Sequence, residues 1–154
     1  MKQTTFRIIT EIPAAKAVVW SVLSDVERWP QWTPSISTVN KLSAGPLKVG
    51  GRVRVRQPKL PPAFWRVTEL DPEAGFTWIS RAPGVRVTAR HMVEAIPDGT
   101  RVTLSIRYEG LFGKLLASWV GNLNEDYLVL EANGLKARCT ELAAKLHVEH
   151  YETH

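Results

Sequence analysis

The sequence predicts an α+β fold, a curved antiparallel sheet of about seven strands with one long C-terminal helix laid across it. Three observations carry this. Between residues 5 and 109, short segments alternate apolar and polar side chains, the pattern of strands with one dry face. Turn signals separate these segments: Gly50-Gly51, Pro58 to Pro62, Asp71-Pro72, Ala82-Pro83-Gly84 and Pro97-Asp98-Gly99. From Leu111 to Leu146 the apolar period changes to that of a helix. At 154 residues the chain reads as a single domain. A domain of this size buries roughly 68–70% of its unfolded surface, enough to need no disulfide or metal staple.

The elements follow in order. Residues 5–12 form a first strand that ends at Pro13, and proline suits the first turn of a helix. Residues 14–25 place Val18, Val19, Val22, Leu23 and Val26 at helical spacing, with Asp25 as a turn or capping group. Residues 27–32 make a short second helix or turn closed by Pro34, with Trp29 and Trp32 wedging this junction against the sheet. Six strands are expected at 36–42, 52–57, 64–70, 75–81, 85–95 and 100–109. In the last helix Phe112, Leu115, Leu116, Trp119, Leu123, Tyr127 and Leu130 share one stripe, and Gly121 is a place for a bend.

The net charge of +5 is uneven. Residues 52–107 hold ten basic and five acidic side chains, whereas residues 108–154 hold four and seven. Arg52, Arg54 and Arg56 alternate with Val53 and Val55, so the arginines share one face of a strand. Arg86 with Arg90, and Arg101 with Arg107, are also evenly spaced. This basic face is either the solvated exterior of the sheet or a surface that meets an acidic partner, RNA or a membrane. No aromatic residues are interleaved with the arginines for base stacking, so no specific nucleic-acid partner is expected.

Other classes are excluded. The longest uncharged apolar stretch, residues 115–120, is far short of the roughly 20 residues a membrane span needs. No apolar run follows Met1, and the one cysteine, Cys139, fits a reducing compartment, so a cytoplasmic chain is expected. There is no Gly-x-Ser-x-Gly elbow, phosphate-binding glycine loop, dinucleotide fingerprint or His-Glu-x-x-His, and no cofactor or catalytic metal is expected. His147, His150 and His154 have spacing that would suit a divalent metal only if the helix continued that far. Cys139, at helical spacing from Leu135 and Leu142, reads as a small apolar residue.

Three stretches resemble a known family. The first is Val19-Trp20-Ser21-Val22-Leu23-Ser24-Asp25-Val26-Glu27-Arg28-Trp29-Pro30-Gln31-Trp32. The second runs through Val67-Thr68-Glu69-Leu70-Asp71-Pro72, Phe76-Thr77-Trp78, Pro83-Gly84, His91 and Gly99-Thr100-Arg101-Val102-Thr103. The third spans residues 127–136, ending in Gly134-Leu135-Lys136. Over residues 4–145 the chain is similar to the polyketide cyclase/dehydrase and lipid-transport family of the START/Bet v 1-like (SRPBCC) superfamily. The resemblance implies the helix-grip fold, with a ligand cavity between sheet and helix.

From alternation, Val53, Val55, Gln57, Trp65, Val67 and Trp78 point inward, with Arg66 outside. So do Val87, Ala89, His91 and Val93 on one strand and Val102, Leu104, Ile106 and Tyr108 on the next. Trp119, Leu123, Tyr127 and Leu130 are expected to face them from the helix, while Ala89 and Gly134 leave space. Apolar walls with a few convergent polar groups describe a small-molecule pocket, and equally a filled aromatic core. His91 is a general acid/base or a neutral core histidine. Tyr108 and Tyr127 orient a ligand oxygen or reach a backbone carbonyl, and Gln57 binds ligand or sits at the rim. For such a cavity the resemblance implies two functions: a container for a lipid, quinone or polyketide-like molecule, or a cyclase/aromatase- or dehydratase-type enzyme, in which His91 and a tyrosine such as Tyr108 would move protons.

Overall fold

The computed structural model describes residues 4–152, with side chains described as far as Val148. The described residues form seven strands: β1 (Thr5–Ile12), β2 (Thr38–Lys41), β3 (Arg52–Arg56), β4 (Ala63–Asp71), β5 (Gly75–Ala82), β6 (Val85–Ile96) and β7 (Gly99–Glu109). Helix α1 (Lys16–Leu23) and a 3₁₀ turn (Val26–Gln31) follow β1, and helix α2 (Gly113–Glu152) ends the chain. The sheet order is β1-β7-β6-β5-β4-β3-β2, antiparallel at every junction. Successive strands pair because tight turns join them, and β1 closes the order by pairing Thr5 with Arg107 through Ile12 with Thr100. This is the helix-grip arrangement, with α2 on the inner face.

Some boundaries differ from the sequence expectation. Helix α1 begins after Ala15 and stops before Ser24, whose N–H and Oγ both donate to the Trp20 carbonyl, at 2.8 and 2.7 Å. Strand β2 starts two residues late, at Thr38, leaving Ile36 buried in the core just before it. The 3₁₀ turn carries Trp29 inward to 2% exposure, where its Nε1 donates to the Leu23 carbonyl at 3.0 Å. Its ring centroid lies 5.3 Å from Trp78 and 5.4 Å from His91, so the turn is part of the interior wall and not only a wedge.

The larger correction concerns α2. It runs unbroken through Gly121, where the missing side chain lets the Phe6 ring approach: a Cβ there would lie 3.1 Å from the ring edge. At Gly134 a Cβ would lie 1.9 Å from the Trp32 carbonyl oxygen, so this glycine seats the helix against the 3₁₀ turn and leaves no space. Close approach selects small or polar inward residues, and the buried stripe runs through Ala117, Gly121, Asn124, Tyr127, Leu135 and Cys139. Phe112, Leu115, Trp119 and Leu130 are exposed instead, Trp119 at 81%, and Leu123 is half-buried. Residue size, more than hydrophobicity, decides which face of this helix touches the sheet.

Helix α2 carries His147, but the His150 side chain and His154 lie outside the described residues. Among the described residues, no helix is long and apolar enough to cross a membrane.

Candidate functional site

Between the inner sheet face and the middle of α2 lies a cavity of ≈60 Å³. Strand β3 contributes Val55, with Gln57 just beyond its end, and β4 and β5 contribute Trp65 and Trp78. Strand β6 supplies Ala89 and His91, β7 supplies Leu104 and Ile106, and α2 supplies Tyr127. Seven other expected positions lie elsewhere. Val67 and Val93 are buried in the core beyond the cavity, because β4 and β6 extend past it. Tyr108 belongs to a second cluster with Phe6 and Ala117. Trp119, Leu123 and Leu130 do not line it, since the helix presents another face. Gly134 is occupied by the Trp32 backbone.

The cavity wall also contains residues that the apolar pattern did not single out: Trp29, Ile36, Asn124, Leu128 and Glu131. Asn124, Tyr127, Leu128, Glu131 and Leu135 recur three and four residues apart along α2, the spacing of one helix face. The polar residues Asn124 and Glu131, at helical spacing from buried Tyr127 and Leu135, were the available signal.

Aromatic rings occupy most of the interior. Trp65 stacks on Trp78 at 5.7 Å and 29°, and Phe76 stacks on His91 at 4.2 Å and 14°. Trp78 meets the same imidazole edge-on at 5.3 Å and 84°. Burial among these rings lowers the His91 pKa to about 4, opposed by a 3.4 Å hydrogen bond between Nδ1 and the Phe76 carbonyl. At neutral pH the ring is uncharged. A neutral imidazole donating from Nδ1 to that carbonyl keeps Nε2 as an acceptor.

Glu131 lines the same cavity from α2. Burial pushes this carboxyl up to about 7, against a long 3.5 Å hydrogen bond donated by Ser35 Oγ. Ser35 is itself fixed by Thr33 Oγ1 at 2.7 Å, and its carbonyl accepts from Gln57 Nε2 at 3.3 Å. The residues between the 3₁₀ turn and β2 thus hold a small polar corner against an otherwise aromatic wall. A carboxyl titrating near neutrality and a neutral imidazole in one cavity can donate and accept hydrogen bonds without carrying charge.

The two tyrosines have other partners. Asn124 Nδ2 donates to the Tyr108 hydroxyl, and burial raises that phenol to about 12, which keeps it protonated. Tyr127 donates to the Pro58 carbonyl, tying α2 to the loop between β3 and β4. That loop contains Lys59 at φ 67°, a left-handed conformation uncommon outside glycine. Neither tyrosine hydrogen bonds to His91, so the expected His–Tyr proton pair is not formed. Burial raises the Cys139 thiol to about 12, in keeping with a packing residue.

Comparison with known proteins places this geometry. Residues 3–140 match the family described as polyketide cyclase/dehydrase and lipid transport. No curated protein matches the sequence. A hypothetical protein of Helicobacter pylori shares the fold with a TM-score of 0.73 at 18% identity, over 88% of this chain and 86% of that one. The Zhui aromatase/cyclase of Streptomyces sp. R1128 does so at 0.68 and 18%, over 88% and 92%. A START superfamily protein of Mycobacterium smegmatis gives 0.67 and 16%, over 90% and 98%. With the family pattern matched over residues 3–140, the chain belongs to the polyketide cyclase/dehydrase and lipid transport family, and it shares the fold of the aromatase/cyclase and START superfamily structures.

Proposed function

We propose that the chain binds an apolar or amphipathic small molecule between the sheet and α2, with His91, Gln57 and Glu131 orienting its polar end. The observation that carries this reading is the polar corner of Glu131, Ser35 and Gln57 on a cavity whose other walls are Trp29, Trp65 and Trp78. A well-packed structural core has no use for a carboxyl held near neutrality, whereas a ligand hydroxyl pairs with it in either protonation state and a ligand carbonyl pairs with it when it is protonated.

Size decides the form binding takes. At ≈60 Å³ the cavity holds a few waters, against the roughly 300 Å³ of the smallest pockets that take drug-sized ligands. Binding therefore requires the wall to move. The β3–β4 loop is the movable part, since its side-chain tie to the helix is the Tyr127–Pro58 hydrogen bond. Apolar ligand area contributes about 25 cal/mol per Å², so opening the loop at a cost of a few kcal/mol is offset by burying about 200 Å². With its one cysteine buried and unpaired, the chain suits the cytoplasmic setting we assign to it.

Tryptophan fluorescence tests the reading, because three tryptophans line the cavity. Titration with a panel of fatty acids, quinones and hydroxylated polycyclic aromatics is expected to give saturable quenching by at least one class. Ala89→Trp, which fills the cavity from β6, is expected to abolish it. Quenching unchanged by Ala89→Trp would place the ligand elsewhere and end this proposal.

A second reading rests on one observation: a proton donor, Glu131, and an acceptor, His91, line the same cavity. This is the equipment of a cyclase- or dehydratase-type enzyme. Under that reading Glu131→Gln retains binding and loses turnover of the bound compound. Equal turnover by the variant excludes it.

A further inference from the structure

We propose that the outer face of the sheet over β3, β4 and β5 is a docking surface for an anionic membrane. This face lies opposite α2, and the inference is independent of what the cavity holds. An open groove of ≈890 Å³ runs across it, bounded by Leu42 and Val49 from the β2–β3 connection and by Arg52, Phe64, Arg66, Ile79 and Arg81 from the strands.

Two features set the groove apart from an ordinary solvated sheet face. The first is uncompensated charge. Arg52 stands directly opposite Arg66 across the β3–β4 ladder, a like-charge pair that disfavours the sheet on its own. Elsewhere on the same face Arg86 and Arg107 share Glu109 and Arg101 contacts Glu11 and Glu94, while Arg7 and Arg90, each opposite Ser105, have no acidic partner among the described residues but face no second arginine across the ladder. Among the described residues, Arg52, Arg54, Arg66 and Arg81 enter no ion pair.

The second feature is exposed apolar surface among those charges. Leu42, Val49 and Phe64 are 53%, 59% and 57% exposed, and Phe64 stands opposite Arg54 in the ladder. Guanidinium groups interleaved with apolar side chains match a lipid interface: arginines pair with phosphate headgroups while Leu, Val and Phe reach the acyl boundary. A single-stranded nucleic acid fits less well. Only one aromatic, Phe64, is available for stacking on this groove, and Leu42 and Val49 have no role there.

Co-sedimentation with vesicles tests the assignment. The full chain is expected to bind phosphatidylcholine vesicles containing phosphatidylglycerol and to ignore vesicles of phosphatidylcholine alone. Binding is expected to weaken as salt is raised, since the Debye length shortens. Arg52→Gln, Arg66→Gln and Arg81→Gln are each expected to lower the partition coefficient about fivefold, from roughly 1 kcal/mol per basic residue near an anionic surface. Phe64→Ser is expected to lower it as well, which purely electrostatic adsorption does not predict. Lys145→Gln, on α2 across the sheet, serves as the control and leaves binding unchanged. Each variant is checked for an unaltered unfolding midpoint. Equal binding to both vesicle types, or indifference to the three arginine replacements, overturns the proposal. So does tighter retention of a single-stranded RNA homopolymer that survives Phe64→Ser, which would mark the face as a polyanion site.

Discussion

Glu131 and His91 should give the protein a stability profile that is flat over a pH range where each alone would tilt it. The Glu131 carboxyl titrates near 7 in the fold against 4.5 in an open chain. The folded state therefore holds a proton that the unfolded state has released, and stability falls as pH rises from 4.5 to 7. The His91 imidazole titrates near 4 in the fold against 6.5 when free. The unfolded state then binds a proton that the fold refuses, and stability is lost as pH falls from 6.5 to 4. Between pH 4.5 and 6.5 the two slopes, each about 1.4 kcal/mol per pH unit, have opposite sign and cancel. Glu131→Gln removes one of them. The side chain remains able to accept from Ser35 Oγ, so the neutral-state contact survives. The variant is expected to match the parent protein at pH 4 and to exceed it at pH 8 by about 2–3 kcal/mol, allowing for the partial exposure of Glu131. Urea unfolding at intervals across this range reads the difference directly, and other titrating groups cancel in it. A variant no more stable than the parent at pH 8 would show that the carboxyl does not sit in the cavity as a buried acid.

Gly134→Ala is expected to destabilise despite a helix-propensity gain of about 1 kcal/mol, because the new Cβ falls 1.9 Å from the Trp32 carbonyl; overpacking of this kind costs about 1–3 kcal/mol. Thermal melts check this, with Gly121→Ala expected near neutral since only the end of the Phe6 ring must give way. Tyr127→Phe removes the tie to Pro58 and is expected to cost about 1 kcal/mol. It should also speed tryptic cleavage at Lys59, which mass mapping of the fragments detects, and unchanged cleavage would show that the loop is held by other contacts.

The sheet was legible in the sequence because an antiparallel sheet with one dry face writes its register as alternation. Val53 and Val55 against Arg52, Arg54 and Arg56 needed no tertiary information, and the turn residues bounded each strand to within about two positions. The helix was less legible. Apolar residues on α2 populate two faces, and the pattern of Leu115, Trp119 and Leu123 looked like a core stripe when the contact face is built on Ala117, Gly121 and Asn124. What settles that choice is the distance to Phe6 and Trp32, residues more than a hundred and about a hundred positions away in the chain. Trp29 reached the cavity wall for a similar reason, because the 3₁₀ turn that delivers it is oriented by packing against β5 and β6. Glu131 escaped notice because a carboxylate in a helix is ordinarily solvated, and only the cavity makes it exceptional. The basic face was visible as charge spacing, but its exposed apolar members, Leu42, Val49 and Phe64, acquired meaning once the strands were aligned.

The central claim is that the space between the sheet and α2 opens to take a small molecule. A crystal structure of the protein with whichever compound quenches its tryptophan fluorescence tests this most directly. The account predicts density between Trp78, His91 and Glu131, a ligand oxygen within hydrogen-bond distance of Glu131 or His91, and the β3–β4 loop moved away from Tyr127. A compound bound on the outer face, with the Tyr127–Pro58 hydrogen bond intact and the interior unchanged, would contradict it.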